Sequence, residues 1–321
     1  MKNTITLCFT AIALLFPIIS SALDGPLTVK NQFPVFLPIN QPYLEQAATE
    51  SSFGVSLSHS SVFVMENSAA WRAHLDLELT EVNFRYRKNI PGLIEVGIDL
   101  PILRAAAGFL DSPLSWYHDT FSFPDYGRSS RPDNSFLYDV RRNGAPLIEG
   151  VNNRAGIGDV RLTAKKKLFA GEPVISVLVD LELPTGNARI GYGSGGTDAG
   201  AALLLDRNLG SEAKLYANLG VVVPGDLKAY QTVDLKTFYH AGAAIEVMAT
   251  RRLSLIVQYL AQSSPYPKTG ITQIDGTAML LVLGGRYYGK SGGYELSLTE
   301  DPNTTGAPDF ILNVSYKRKF R

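Results

Sequence analysis

The sequence predicts an all-β protein, an antiparallel transmembrane β-barrel of about twelve strands. Three observations predict it. Apolar residues recur with a period of two through much of the chain, and beyond Ala22 no stretch supplies the roughly 18 consecutive apolar residues of a spanning helix. Short and long connections also alternate from one segment to the next, as in a barrel with tight turns at one rim and longer loops at the other.

The chain opens with Met1-Lys2-Asn3, an apolar run from Ile5 to Ile19, and the small residues Ser20-Ser21-Ala22. This order reads as a secretory signal peptide cleaved after Ala22, leaving 23–321 as a single barrel domain. Cys8 lies within the leader, so the exported chain has no cysteine, in keeping with an oxidising compartment. Of 30 Lys+Arg and 30 Asp+Glu in the full chain, only Lys2 falls in the leader, so the exported part carries 29 against 30, a net of −1. No basic surplus is left for nucleic acid. Residues 23–52, with Pro26, Pro34, Pro38 and Pro42, match no strand pattern and read as an extended periplasmic arm.

The strands follow in order. The clearest is Ile175, Val177, Val179, Leu181 and Leu183, set against Ser176, Asp180 and Glu182; Val160 to Leu168, Leu253 to Tyr259 and Phe310 to Tyr316 alternate in the same way. Weaker alternation marks 53–65, 71–86, 92–100, 197–206, 213–223, 236–247, 276–287 and 293–300. Links 87–91, 169–173, 207–212, 248–252 and 288–292 are short; 101–154, 184–196, 224–235, 263–275 and 301–308 are longer and rich in turn residues. Only 66–70 is short on the long side. An even strand number puts both chain ends at the short-turn, periplasmic rim. Phe53, Phe63, Trp71, Phe84, Tyr216, Tyr259, Tyr287, Tyr294 and Tyr316 mostly lie near strand ends, where amphipathic rings favour a water–lipid boundary.

Gly156-Ile157-Gly158-Asp159-Val160-Arg161-Leu162, Leu183-Pro184-Thr185-Gly186-Asn187, Gly193-Ser194-Gly195 and Tyr216-Ala217-Asn218-Leu219-Gly220 resemble a group of Gram-negative outer-membrane barrels described as transporters associated with the breakdown of aromatic compounds. With Asn31-Gln32-Phe33-Pro34, Phe121 to Pro124 and Arg131-Pro132-Asp133-Asn134, the wider chain is similar to an uncharacterised envelope family. The resemblance implies an architecture, since its motifs are turn and strand signatures. A terminal aromatic, here Phe320 followed by Arg321, is similar to the end by which the outer-membrane assembly machinery receives such barrels.

Little chemistry is predicted. His59, His74, His118 and His240 have no metal-ligand spacing, so neither a metal nor a cofactor is expected. His74, Asp76 and Glu78 share one strand face, with Ser58 or Ser60 on the neighbouring strand as a candidate nucleophile for an envelope-lipid hydrolase, but no Gly-x-Ser-x-Gly elbow occurs. The long link 101–154 holds Trp116, Tyr117, His118 and Phe121, then Arg128 and Arg131. It is expected to fold as a loop or plug over or into the barrel, with its rings contacting an apolar or aromatic solute and its arginines attracting an anionic group; the alternative is an external loop packing its own rings. Inward parity gives Asp180, Glu182, Arg161 and Lys165 to a hydrated lumen, or to pairing across strands.

The expected protein is therefore a non-enzymatic, porin-like barrel of the outer membrane, in contact with lipid, for passive passage or uptake of a small, hydrophobic or aromatic solute. A surface structural or ligand-binding barrel is the second reading, and the lipid hydrolase the third.

Overall fold

The computed structural model describes residues 23–113, 116, 120 and 127–320. Strands form where apolar and polar residues alternate, because a closed wall puts successive side chains on opposite faces. They are β1 (Ser51–Asn67), β2 (Trp71–Ile90), β3 (Ile94–Ala106), β4 (Leu137–Arg142), β5 (Ala145–Glu149), β6 (Arg154–Ile157), β7 (Val160–Phe169), β8 (Val174–Leu183) and β9 (Asp198–Asn208). After them come β10 (Ala213–Val223), β11 (Leu227–Lys228), β12 (Thr232–Val233), β13 (Phe238–Thr250), β14 (Leu253–Gln262), β15 (Ala278–Tyr288), β16 (Gly293–Glu300) and β17 (Phe310–Phe320).

Twelve of these close on themselves. The order β1-β2-β3-β7-β8-β9-β10-β13-β14-β15-β16-β17 returns to β1, whose Ser51 pairs Phe320 and whose Ser61 pairs Phe310, and neighbours run antiparallel throughout. The twelve strands the alternation predicts are these twelve. Closure leaves no open edge around the barrel, and the outward parity carries an apolar belt that includes Leu57, Ile98, Leu162, Val179, Leu203, Leu219, Val257 and Leu312.

The two rims differ. At the turn end, connections such as 170–173, 209–212 and 289–292 are tight. At the loop end the sheet rises on one side, because β1 and β2 outrun their neighbours. There β2 leaves β3 at Glu78 and pairs with β4 over Trp71–Asp76, and β4 turns through Asn143-Gly144, both at positive φ, into β5. This hairpin lies inside the 101–154 link and, paired to β2, extends the wall at that rim.

Residues 23–50 are not a periplasmic arm. Nearly every residue from Gly25 to Leu44 is buried, and the segment runs up the inside of the barrel to the loop end, turns, and returns, with Lys30 bridging antiparallel to Tyr43. Its prolines fit this place for a simple reason. Pro26, Pro34, Pro38 and Pro42 have no N–H, so they remove four donors that a dry lumen would have to satisfy.

Candidate functional site

The lumen and its plug form the site. At the loop end, Phe33 to Ile39 make a tight turn, with Leu37 N–H donating to the Phe33 carbonyl at 2.8 Å and Ile39 N–H to the Phe36 carbonyl at 2.9 Å. Phe33, Val35, Phe36, Leu37 and Ile39 are buried with Trp71, Leu75, Tyr138, Leu147 and Tyr266 in the largest apolar cluster. Two tyrosines cap its carbonyls: Tyr138 donates to Pro34 at 2.6 Å and Tyr266 to Val35 at 2.8 Å. At about 1.5–3 kcal/mol for each buried apolar side chain, five of them hold the tip with on the order of 10 kcal/mol.

Below the tip the plug meets a wall of two characters. Leu27, Val29 and Leu44 pack on Tyr216, Ala244, Ile256, Leu260 and Val282. Glycine makes room for them: a Cβ on Gly242 or Gly284 would stand 2.7 Å from Leu44 or Leu27. The β2, β3, β7, β8 and β9 side is polar. Tyr43 lies between the guanidinium groups of Arg85 and Arg161, 4.2 and 4.6 Å from its ring centroid, and donates its hydroxyl to Asp99 at 2.5 Å while accepting from Arg87 at 2.9 Å. Arg87 also pairs with Asp99 at 2.6 Å and Glu45 at 3.2 Å.

Wall side chains take the place of strand partners for the plug backbone. Leu27 and Gln258 exchange bonds at 3.0 and 3.2 Å, Glu45 and Asn218 at 2.7 and 2.9 Å, and Asp206 accepts from the Ala47 and Ala48 N–H groups at 2.7 and 3.0 Å. At the turn end, Lys317 and Lys319 hold Glu50 at 2.5 and 2.8 Å, and Lys319 also reaches Asp24, so one pair of lysines grips both ends of the hairpin. Burial alone would raise the Glu50 carboxyl, but the two lysines outweigh it and hold it well below the usual carboxylate range. Cavities of about 10 Å³ beside Tyr43 and about 60 Å³ at the turn end remain between plug and wall.

Asp180, Glu182, Arg161 and Lys165 are all buried on the inward parity of the wall. Arg161 pairs with Asp180 at 2.9 Å, and Lys165 with Glu95 at 3.0 Å. They also serve the plug: Asn40 donates to Asp180, and Lys165 donates to the Gln46 carbonyl at 3.1 Å. Glu182 is buried beside the same small cavity as Tyr43. The hairpin occupies the lumen that these side chains line.

Of the six site residues expected in the 101–154 link, Trp116, Arg128 and Arg131 are described. Arg128 is buried against the outer side of β1, bonded to Asp111 at 2.7 Å, Asp309 at 2.6 Å and Ser61 at 3.2 Å, and Arg131 pairs with Asp76. Both arginines are thus occupied by carboxylates of the chain. Trp116 is exposed, whereas Tyr117, His118 and Phe121 lie outside the described residues, as do residues 1–22, the expected leader. The hydrolase grouping does not assemble. On β2, His74, Asp76 and Glu78 face outward opposite Met65, Phe63 and Ser61, whereas Ser58 and Ser60 have the inward parity, Ser58 accepting from Asn313 at 2.6 Å. Glu78 instead holds His59 at 2.7 Å and the Phe109 and Leu110 N–H groups, pinning the start of the loop to the wall. Among the boundary aromatics, Phe53, Tyr259, Tyr287 and Tyr294 are exposed outward, but Trp71 and Tyr216 are buried in the tip cluster and behind the plug.

The chain belongs to the family described as "Protein of unknown function (DUF3187)", which matches residues 5–320. No curated protein matches it. Among solved structures it is similar to the COG4313 outer membrane channel from Pseudomonas putida F1, over 87% of this chain and 98% of that one, at 15% identity and a TM-score of 0.58. The Pseudomonas putida toluene transporter TodX is similar over 92% and 100%, at 9% identity and 0.43. The first likeness shows a shared barrel fold.

Proposed function

We propose that this family member is an outer-membrane channel for a small solute, closed by its own N-terminal hairpin and carrying out no chemical step. In this reading the leader is removed after Ala22, the assembly machinery inserts the barrel, lipid covers the apolar belt, and the turn end faces the periplasm. The observation that carries the reading is the chemistry of the plug seat. Between Tyr43 and the turn end, one side of the lumen presents guanidinium, ammonium, carboxylate and amide groups that the hairpin satisfies mainly through hydrogen bonds and ion pairs. Water can replace such partners, so a displaced hairpin leaves a hydrated passage. Charges of both signs line it, and the solute it favours is small and amphiphilic.

A reversible tether tests this. Ala47→Cys with Ser176→Cys joins plug to wall where the Ser176 hydroxyl donates to the Ala47 carbonyl at 2.5 Å, and the exported chain brings no competing thiol. Conductance bursts in planar bilayers that vanish on oxidation and return on reduction support the proposal; identical currents in both states refute it. A non-conducting surface barrel is the second reading, favoured by the apolar clamp on the plug tip.

A further inference from the structure

β1 runs on to Asn67, but its neighbour β17 begins only at Phe310, opposite Ser61. The edge of β1 beyond Ser61 therefore faces the 301–309 loop across a gap. The gap is a cavity of about 260 Å³, lined by Phe33 of the plug tip, by Val62, Phe63 and Val64 of β1, and by the acidic Glu66 and Asp309. Met65, Gln273, Thr304, Gly306 and Ala307 line it too, so its wall is part apolar and part polar, and among the described residues no lysine or arginine lines it. The nearest guanidinium is that of Arg128, 5.5 Å from the Phe63 ring centroid, and it is already bonded to Asp111 and Asp309.

We infer that this cavity is a binding site for a small aromatic molecule, neutral or cationic, of about one ring. Size and chemistry both point there. By size alone, a cavity of roughly 150 Å³ already holds benzene, so the space admits a ring with a short substituent. Two phenylalanines supply ring contacts, which suit an aromatic or a cation, and Glu66 disfavours an anion, Asp309 being already paired with Arg128. The occupant would touch Phe33, one of the five side chains that hold the plug tip, so binding bears directly on the part of the plug that is hardest to move. Equilibrium binding needs no open lumen, and the inference stands apart from the proposed channel.

Met65 reports on it. The full protein, labelled with 13C-methyl methionine in detergent, is titrated with toluene, benzylamine and benzoate, with Met248 on β13 as the remote control. Toluene and benzylamine are expected to shift the Met65 methyl saturably while Met248 stays still, and benzoate to bind at least tenfold more weakly. Ala307→Phe, and separately Val64→Phe, fill the cavity and are expected to abolish the Met65 response in whichever variant keeps the heat-dependent gel mobility of a folded barrel. The inference is overturned if Met65 does not respond, if both methyls move together, if benzoate matches toluene, or if the response survives in a folded filled variant. Loss of conductance with the Met65 shift intact would count against the channel and not the site.

Discussion

The hydroxyl of Tyr43, on the plug, donates to the carboxylate of Asp99, on the barrel wall, over 2.5 Å. Asp99 is at the same time the partner of Arg87, which donates to the Tyr43 oxygen, so plug and wall share one closed polar circuit. Tyr43→Phe keeps the ring between Arg85 and Arg161 but leaves a buried carboxylate and a guanidinium one partner short. The expected cost is about 1–3 kcal/mol. Protease access to the plug from the turn end should rise correspondingly, while Tyr43→Leu, which also loses the two cation–π contacts, should raise it further.

Phe36 tests the other end. It is fully buried, edge-on to Phe33 at 5.5 Å and stacked on Tyr266 at 6.0 Å. Phe36→Ala should weaken the tip by about 3–5 kcal/mol. Spontaneous conductance events should then become at least a hundredfold more frequent than in the wild type, with strand content by circular dichroism unchanged. An unchanged event frequency would mean that the tip does not limit opening.

Acid should loosen the foot of the plug. Because Lys317 and Lys319 hold the Glu50 carboxyl below its ordinary value, its contribution is present above the normal carboxylate range and is lost as pH falls through the lowered one. A cysteine replacing Ala48 should therefore react faster with a thiol reagent below about pH 4 than at pH 6, after correction for thiolate fraction. Glu50→Gln should react fast at both.

The 301–309 loop should behave in the opposite sense. Burial, helped by Asp309, raises the Asp301 carboxyl to about 7 against the pull of the Asn303, Thr304 and Thr305 N–H groups. Its stabilising contribution is present at low pH and lost as pH rises through about 7. Protection factors of the loop amides should fall between pH 5 and pH 8, and Asp301→Asn should flatten that change. The loop borders the cavity beside β1, so toluene affinity there should weaken over the same interval.

The barrel was legible because a period of two is local: Ile175 to Leu183 announces its two faces without knowledge of its neighbours. Inward Arg161, Lys165, Asp180 and Glu182 followed from the same parity. The plug was not, because a proline-rich stretch without periodicity looks alike whether it hangs in water or threads a lumen. One signal for it was present. Phe33, Val35, Phe36, Leu37 and Ile39 fall within seven residues, more apolar surface than a solvated arm leaves exposed. A second signal, Asn143-Gly144 between Leu137–Arg142 and Ala145–Glu149, marked a hairpin inside the long link. The ion pairs of Arg128 and Arg131 had no such sign, since Asp309 and Asp76 are distant in sequence and meet them only once the loop folds against β1 and β2.

Deleting residues 24–50 tests the central claim most directly. The plug makes none of the wall's strand pairings, so the twelve strands should still close and the variant should keep its heat-dependent mobility on a gel. In planar bilayers it should carry a steady current where the full-length protein is silent apart from rare bursts. A folded, plug-free barrel that passes no current would contradict the account.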